Sequence, residues 1–576
     1  MYSGPQLVEL LEKQHQARQQ SGLFKQGTFI LQWRTKVGSF PHPDLETIVS
    51  AGEPCGAWQT SSNCPEDKRR PEDKRNVGDN WQYLRELPLH GYIPGASIRG
   101  LVRAWAKQRP DIKPRMYQLL GYQDDDTICA GKIEFLDAWP DRPTKLTLDI
   151  VNPQEPFQVY HEGQSTPLSL YTLGNGKSSI PVTVAIRGIP GRATEAEVEE
   201  VWGWVQQALS LYGVGSRTAS GYGSIKTDRS SKLVLDPGCA VKKFEFSLKS
   251  QGCAGPDMRT MEFRPSHWRG WLRSWVLRFL LGVMSQSDAQ ATLGELLGTL
   301  ESPVDNKSRQ GYVRLQMVKG KTWGDRSNTP PNFFAWEGQL LLSAPSRILN
   351  EIILPIVQIA VMVGGVGRGW RRPLHIFHMK NGQAAARGTY LTLKHRLKKP
   401  DAKETVLKLY GLPIKSEFWH NLYQNWLSNV QQQWPNRIIS APNPLAEVFS
   451  PNTCAVYAVP GPVEEPLDRS ELAWEFAKPL DTRGDGMNLI YQPAYKRKRD
   501  VGGDAAGGGN AHCSWVSIRR VNVPHTQENT RCQEIVCLFL GGQTPQSNHL
   551  RSQFLDDLTK ISGAVHLFGV QPSNPI

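Results

Sequence analysis

Two short and unlike signatures occur twice along this chain in the same order, and this repetition constrains the fold more than any other feature. The first signature opens a predicted helix with a serine, an Arg-Gly pair and a second arginine, at 92–103 and again at 265–273. The second signature is a glycine-rich loop after an apolar helix, at 213–223 and again at 364–372. Ordered internal repetition of this kind indicates duplicated modules. We therefore predict two copies of one module in tandem.

The first signature has the chemistry of a phosphate receptor. Pro94 and Gly95 reverse the chain, and Ser97 is predicted to cap the helix that follows. Arg99 and Arg103 are four residues apart and therefore share one helix face. A helix start with paired guanidiniums suits a phosphate, whereas an ordinary capped helix with solvated arginines is the alternative. The second copy repeats the pattern with Ser266, Arg269 and Arg273.

The glycine-rich loops combine backbone freedom with positive charge. Glycine allows positive φ and lets backbone N–H groups approach a ligand closely. A dinucleotide site needs its glycines after a strand and before a helix, whereas these loops follow a helix, so nucleotide binding is rejected. Embedded arginines favour phosphate contact over a simple helix cap. The predicted contact residues are Gly215, Arg217 and Gly221 in the first loop, and Gly367, Arg368, Arg371 and Arg372 in the second.

Between these signatures, the pattern of apolar residues predicts strand, helix, strands, helix, strand in each module. This order is typical of an α+β fold with an antiparallel sheet and helices on one face, here two tandem ferredoxin-like domains. The predicted domains are an N-terminal helix at 1–26, a first domain at 27–226 with an insertion at 53–80, a linker at 227–240 and a second domain at 241–394. Residues 395–576 are predicted to be a C-terminal insertion that completes the second domain through strands near 514–521 and 534–540. Within it, residues 496–511 are expected to be disordered.

The charge of the chain favours an anionic partner. The 67 Lys and Arg residues outnumber the 54 Asp and Glu residues, which gives a net charge of +13 and points to nucleic acid. No apolar run is long enough to span a bilayer and no signal peptide opens the chain, so we expect a cytoplasmic protein without a membrane partner. The nine cysteines show no C-x-x-C spacing. We therefore expect no disulfide framework, no metal site and no cofactor.

Beyond these physical inferences, the two signatures resemble those of the RAMP superfamily, the RNA-binding backbone proteins of CRISPR effector complexes. Residues 27–226 resemble the Cmr-complex subunit that caps the 3′ end of the backbone, through 42–47, 93–103, 120–121, 149–153 and 213–223. Residues 241–380 resemble a larger Cmr subunit at that end, through 263–273, 295–298 and 364–372. The second loop departs from the family's usual ending, because Pro373 and Leu374 follow its last two arginines.

The resemblance implies a structural subunit of a type III CRISPR effector complex that binds crRNA and the guide–target duplex. Its implied partners are crRNA, target RNA and the other effector subunits. Cleaving members of the superfamily use an aspartate in the loop after the first strand, for which Asp44 and Asp257 are the positional candidates. A target-RNA-cleaving subunit, with a divalent metal ion if cleavage requires one, and a stand-alone RNA-binding protein are the two alternatives.

Overall fold

The structure is a computed structural model of the 576-residue chain. It describes residues 4–36, 39–42, 45–50, 91–124, 127–142, 144, 146–151, 168–226, 235–236, 238–254, 261–299, 310–327, 331–379, 381–398, 405–440, 443, 445, 447–462, 478–498, 501–503, 513–522, 532–542 and 545–572.

The chain forms two compact units. The first unit contains the N-terminal module together with a later segment, Ala254–Pro265. The second unit contains Gly238–Cys253 and Ser266–Ile576. The predicted linker at 227–240 therefore coincides with a unit boundary near residue 237, and the strand Cys239–Ser250 begins the second unit.

The first module has an antiparallel sheet whose central strands are Phe24–Leu31 and Ile180–Gly188. Ile225–Lys226 pairs outside the first of these, and Ile133–Phe135 outside the second. Numbered along the chain, the order across the sheet is 4-1-3-2. The helix Gly95–Lys107 follows strand 1, and Glu195–Tyr212 follows strand 3. Their apolar faces pack on the sheet to form the core of this module.

The capping of the helix Glu195–Tyr212 shows how local sequence fixes this module. The side chain of Thr194 accepts from the backbone N–H of Glu197, and the carboxylate of Glu197 accepts in return from the N–H of Thr194. Such a reciprocal cap satisfies two backbone donors at the helix start. The start of the helix that leads into the first glycine loop is therefore fixed by its own sequence.

The second module repeats the same strand order. Cys239–Ser250 is strand 1 and pairs with Phe334–Pro345 (strand 3) and Thr389–Lys398 (strand 4), while Arg314–Arg326 is strand 2 at one edge. An added strand, Thr405–Leu409, pairs with strand 4. The helices Pro265–Leu280 and Gln286–Leu297 follow strand 1, and Leu354–Val363 follows strand 3 after a π-helical turn at Ile348–Ile353.

The C-terminal third forms another sheet of its own. Cys454–Pro460 pairs with Cys532–Phe539 and Val565–Gly569, and Val516–Asn522 pairs outside Cys532–Phe539. The order across this sheet is again 4-1-3-2. The helix Asp485–Ile490 follows strand 1 and Pro545–Thr559 follows strand 3. We call this part of the chain the third module.

The third module corrects the prediction for residues 395–576. The strands near 514–521 and 534–540 exist, but they pair with Cys454–Pro460 rather than with the second sheet. Part of the segment expected to be disordered, 496–511, is also ordered, because Val501 is buried in the core of this module and the N–H of Lys498 donates to Tyr495 O over 3.1 Å. The α+β class is confirmed, with three sheets of one topology rather than two.

The remaining elements are shorter or lie outside these sheets. The N-terminal helix expected within 1–26 is Gly4–Ala17, and a further helix spans Ser416–Gln433. The other elements are the hairpins Ser39–His42/Leu45–Ser50, Tyr122–Asp124/Thr127–Cys129, Leu146–Val151/Leu168–Leu173, Cys253–Ala254/Met261–Glu262 and His375–His378/Ala384–Arg387, the strand Trp139–Pro140, the helix Lys113–Leu120, and the 3-10 turns Ser21–Leu23, Thr218–Ser220, Pro435–Arg437 and Pro479–Thr482. The predicted insertion at 53–80 lies outside the described residues.

Candidate nucleic-acid interface

The predicted cap of the first-signature helix is wrong in its detail. The helix begins at Gly95, so Ser97 lies within the first turn and its backbone N–H donates to Pro94 O over 2.9 Å. The N–H of Gly95 donates to the carboxylate of Asp137 over 2.8 Å. A protein carboxylate therefore already occupies the anion-binding position at this helix start.

The arginines of this helix contact the end of the next helix. Arg99 and Arg103 both donate to the carbonyl of Leu120, and Arg103 also donates to that of Gly121. Leu120 is the last residue of the helix Lys113–Leu120, and Gly121 follows it with a φ of 77°. Terminal helix carbonyls lack partners within the helix and carry partial negative charge, so guanidiniums stabilise them. Arg99 remains exposed and Arg103 half-buried.

The second module repeats this arrangement. Arg269 donates to the carbonyl of Leu297, the last residue of the helix Gln286–Leu297, and Gly298 follows with a φ of 82°. Burial lowers the pKa of Arg269 to about 10, and the nearby Arg273 guanidinium lowers it further. Ser266 lies in the first turn of its helix, as Ser97 does. The repeated signature therefore encodes a helix-to-helix contact in both modules.

The first glycine loop is fixed by backbone hydrogen bonds to the segment that follows the central strand Phe24–Leu31. The N–H of Gly223 donates to Arg34 O, and the N–H of Ser216 donates to Lys36 O, each over 2.8 Å. Gly221 has a φ of 90°, and a Cβ there would lie 2.0 Å from the Cβ of Pro265, so only glycine fits. Gly215 has a φ of 87° and is exposed.

Arg217 is the exposed side chain of this rigid loop. Its φ is 56°, the left-handed region that a residue with a Cβ adopts at a cost of roughly 1–2 kcal/mol. Burial lowers the pKa of the neighbouring Lys36, and the Arg217 guanidinium lowers it further. Within the described part of the chain, neither side chain has an ion pair. Arg217 on the fixed loop and Lys36 beside it are two neighbouring cations whose mutual repulsion a bound anion would reduce.

The second glycine loop presents one arginine in the same way. Arg368 is exposed and lies between Gly367, with a φ of 82°, and Gly369, with a φ of 78°. The loop is closed by the N–H of Gly365, which donates to Trp370 O over 2.8 Å. Each glycine loop therefore displays one exposed guanidinium between glycines of positive φ.

Arg371 and Arg372 do not fit the predicted phosphate contact, because their guanidiniums already have partners within the protein. Arg371 pairs with Glu447, a carboxylate that it shares with Arg278. Arg372 donates to Val516 O over 2.6 Å and to the hydroxyl of Ser514 over 2.7 Å. Burial lowers the pKa of Arg372 to about 10. These two arginines therefore attach the third module rather than face a ligand.

Beneath the first loop lies a buried charge network that the sequence did not reveal. Asp149 is fully buried and accepts from Arg264 over 2.8 Å and from the hydroxyl of Tyr222. Arg34 donates to Glu262 over 2.7 Å. Burial and the Asp149 carboxylate raise the pKa of Tyr222. Tyr222 of the glycine loop is thus a core residue.

The candidate catalytic residues Asp44 and Asp257 lie outside the described residues. Among the described residues, no group of three or more His, Cys, Asp or Glu side chains is placed to hold a metal ion. In the same part of the chain, no helix is both long and apolar enough to cross a bilayer.

Comparison with known proteins gives one family. The family model of the RAMP superfamily matches residues 90–226, from the first signature to the end of the first glycine loop. No curated protein matches the sequence.

Several solved structures of CRISPR proteins are similar to part of this chain. A chain of the type III-B Cmr-beta complex bound to cognate target RNA is 13% identical, with 39% of this chain and 66% of that chain covered and a TM-score of 0.24. Cmr6 from Pyrococcus furiosus is 19% identical, with 35% and 96% covered and a TM-score of 0.18. A type IV-B CRISPR complex chain is 13% identical, with 36% and 93% covered and a TM-score of 0.21. Likeness at these scores is too low to establish a shared fold.

The family model covers the segment in which Arg99, Arg103, Asp149 and the first glycine loop lie. The family predicted from the sequence is therefore the one whose model matches this chain, over residues 90–226.

Proposed function

We propose that this chain is a structural RNA-binding subunit of a type III CRISPR effector ribonucleoprotein. Its tandem ferredoxin-like modules bind crRNA and the guide–target duplex through backbone phosphates, and the other effector subunits are its protein partners in the cytoplasm. The observation that carries the proposal is the first glycine loop, inside the segment that the RAMP family model matches, whose fixed backbone presents Arg217 beside Lys36.

The second loop supports the same function. Arg368 occupies the equivalent position, exposed between two glycines of positive φ. Guanidiniums presented on fixed backbone bind phosphate oxygens without reading bases, so the binding is expected to depend little on sequence. The net charge of +13 adds long-range attraction for RNA.

The direct test removes both presented guanidiniums. Arg217→Gly and Arg368→Gln are combined, because glycine suits the left-handed conformation at 217. Binding of a labelled, mixed-sequence single-stranded RNA is measured over a series of salt concentrations. Two lost phosphate contacts should reduce the slope of log K against log salt by about 1.4.

The matched control removes two positive charges outside the glycine loops. Lys13 and Lys560 are exposed and paired with Glu9 and Asp557. The variant Lys13→Gln/Lys560→Gln should bind RNA like the wild type. Equal slopes for the wild type and the loop variant would remove the loops from the proposed interface.

A further inference from the structure

A basic turn in the third module lies outside both glycine loops. It consists of residues 491–498 and directly follows the helix Asp485–Ile490. Lys496, Arg497 and Lys498 are all exposed along it. None of the three has an ion pair among the residues that the structure describes.

The turn is rigid, unlike a typical solvated charge run. Tyr495 is fully buried against Phe554, with ring centroids 5.0 Å apart. The N–H of Lys496 donates to Gln492 O over 2.8 Å, and that of Lys498 to Tyr495 O over 3.1 Å. Arg497 has a φ of 58°, almost the value of Arg217 in the first glycine loop. Three cations are therefore held on fixed backbone.

A fourth cation lies beside them. The guanidinium of Arg483 is 4.0 Å from the ring centroid of Tyr491, and the Nζ of Lys496 is 5.6 Å from the same ring. The Nε of Arg483 is buried without a hydrogen-bond partner. The tyrosine ring thus brings Arg483 and the basic turn together.

The acidic groups next to the turn are partly neutralised. Asp556 and Asp557, on the helix Pro545–Thr559, raise the pKa of Tyr495 after burial and therefore lie close to it. Asp557 accepts from Tyr495 and pairs with Lys560 over 3.3 Å. The positive charge of the basic turn consequently exceeds the negative charge nearby.

Hydrogen bonds connect the basic turn to the second glycine loop. The guanidinium of Arg372, at the end of that loop, donates to Gly502 O over 3.3 Å. The N–H of the next residue, Gly503, donates to Lys498 O over 3.3 Å. The loop that presents Arg368 is thus connected through two hydrogen bonds to the turn that presents Lys498.

We infer that the basic turn, with Arg483, is a second phosphate-binding site for RNA on the third module. This inference rests on the proposed function and extends it to a part of the chain that neither signature covers. The site takes backbone phosphates of a strand that passes the second glycine loop, because exposed Lys and Arg side chains on fixed backbone contact phosphate oxygens and carry no base readout by themselves.

The test uses the full chain with Lys496→Gln, Arg497→Gly and Lys498→Gln combined. All three side chains are exposed, and glycine suits the φ at 497, so the fold should be retained. With the same labelled RNA, three lost contacts should reduce the salt slope by about 2. Ultraviolet crosslinking of the wild type should mark peptides that contain residues 491–498.

The matched control is Lys13→Gln/Arg347→Gln/Arg396→Gln, because these three exposed cations all have ion-pair partners and none of those partners is an acidic group of the basic turn. It should bind RNA like the wild type. If the turn variant keeps the wild-type slope while the glycine-loop variant loses affinity, the inference is overturned and the proposed function stands. If the glycine-loop variant binds RNA like the wild type, the proposed function fails independently of the turn.

Discussion

At the scale of single residues, exposure separates arginines that face solvent from arginines that hold the fold together. The sequence places Arg368, Arg371 and Arg372 in one loop, and all three are predicted to contact a phosphate. The structure leaves Arg368 exposed and gives Arg371 and Arg372 partners inside the protein. This difference could not be predicted, because Glu447 and Ser514 are distant in sequence.

The strain at Arg217 predicts opposite effects on stability and binding. Replacement by glycine removes the left-handed penalty, so Arg217→Gly should stabilise the first unit by about 1 kcal/mol. The same change should weaken RNA binding, because the presented guanidinium is lost. Urea denaturation and RNA titration of one preparation measure both quantities. A variant that is less stable than wild type would show that Arg217 supports the fold instead.

At the scale of elements, the repeated Arg-Gly signature encodes contact between consecutive helices. Arg99 and Arg269 each donate to the last carbonyl of the following helix, and each of those helices ends at a glycine of positive φ. The sequence revealed the equivalence of the two arginines through their spacing. It did not reveal their partners, because the acceptors are the backbone carbonyls of Leu120 and Leu297, and a backbone carbonyl leaves no mark in the sequence.

This contact predicts parallel losses of stability in the two modules. Arg99→Ala and Arg269→Ala should each lower the free energy of unfolding by roughly 1.5–3 kcal/mol, the range for a hydrogen bond to a charged donor. The measurement is urea denaturation of each variant, with Lys13→Gln as a surface control. If both variants unfold like the wild type but bind RNA with a reduced salt slope, the two arginines are phosphate contacts and not helix contacts.

At the scale of the whole molecule, one topology occurs three times. The sequence disclosed the first two modules through their signatures, whereas the third has neither signature. Its first helix has only 6 residues, and its second helix, which ends at Thr559, reaches the strand Val565–Gly569 without a glycine-rich loop. Pattern reasoning therefore found its strands but assigned them to the wrong sheet, because partner choice in antiparallel sheets is not local.

A buried histidine lies where the second module meets the third. His375 donates from Nδ1 to Pro373 O over 2.8 Å, and its Nε2 accepts from the hydroxyl of Tyr491 over 2.9 Å. Burial is the main cause that lowers its pKa to about 3, and the Arg483, Arg520 and Arg372 guanidiniums lower it further. The ring is therefore neutral in the folded protein at every pH above about 3.

The lowered pKa of His375 predicts that the free energy of unfolding decreases in acid. Below the unfolded-state pKa of about 6.5, the unfolded chain binds a proton at this histidine that the folded chain does not. The stabilising contribution is complete above pH 6.5 and falls by about 1.4 kcal/mol per pH unit as pH decreases towards 3. The difference in unfolding free energy between wild type and His375→Gln, measured by urea denaturation from pH 7 to 4, should follow this slope. A difference independent of pH would show that His375 titrates alike in both states.

We propose that this chain binds CRISPR RNA through its glycine loops. Affinity purification of the tagged chain from its native cell, with sequencing of the RNA that co-elutes, tests this for wild type and for Arg217→Gly/Arg368→Gln. We expect short RNAs with CRISPR repeat tags, together with partner subunits, in the wild type and a clear reduction of those RNAs in the variant. Mixed cellular RNA, or no RNA, from the wild type would overturn the proposal.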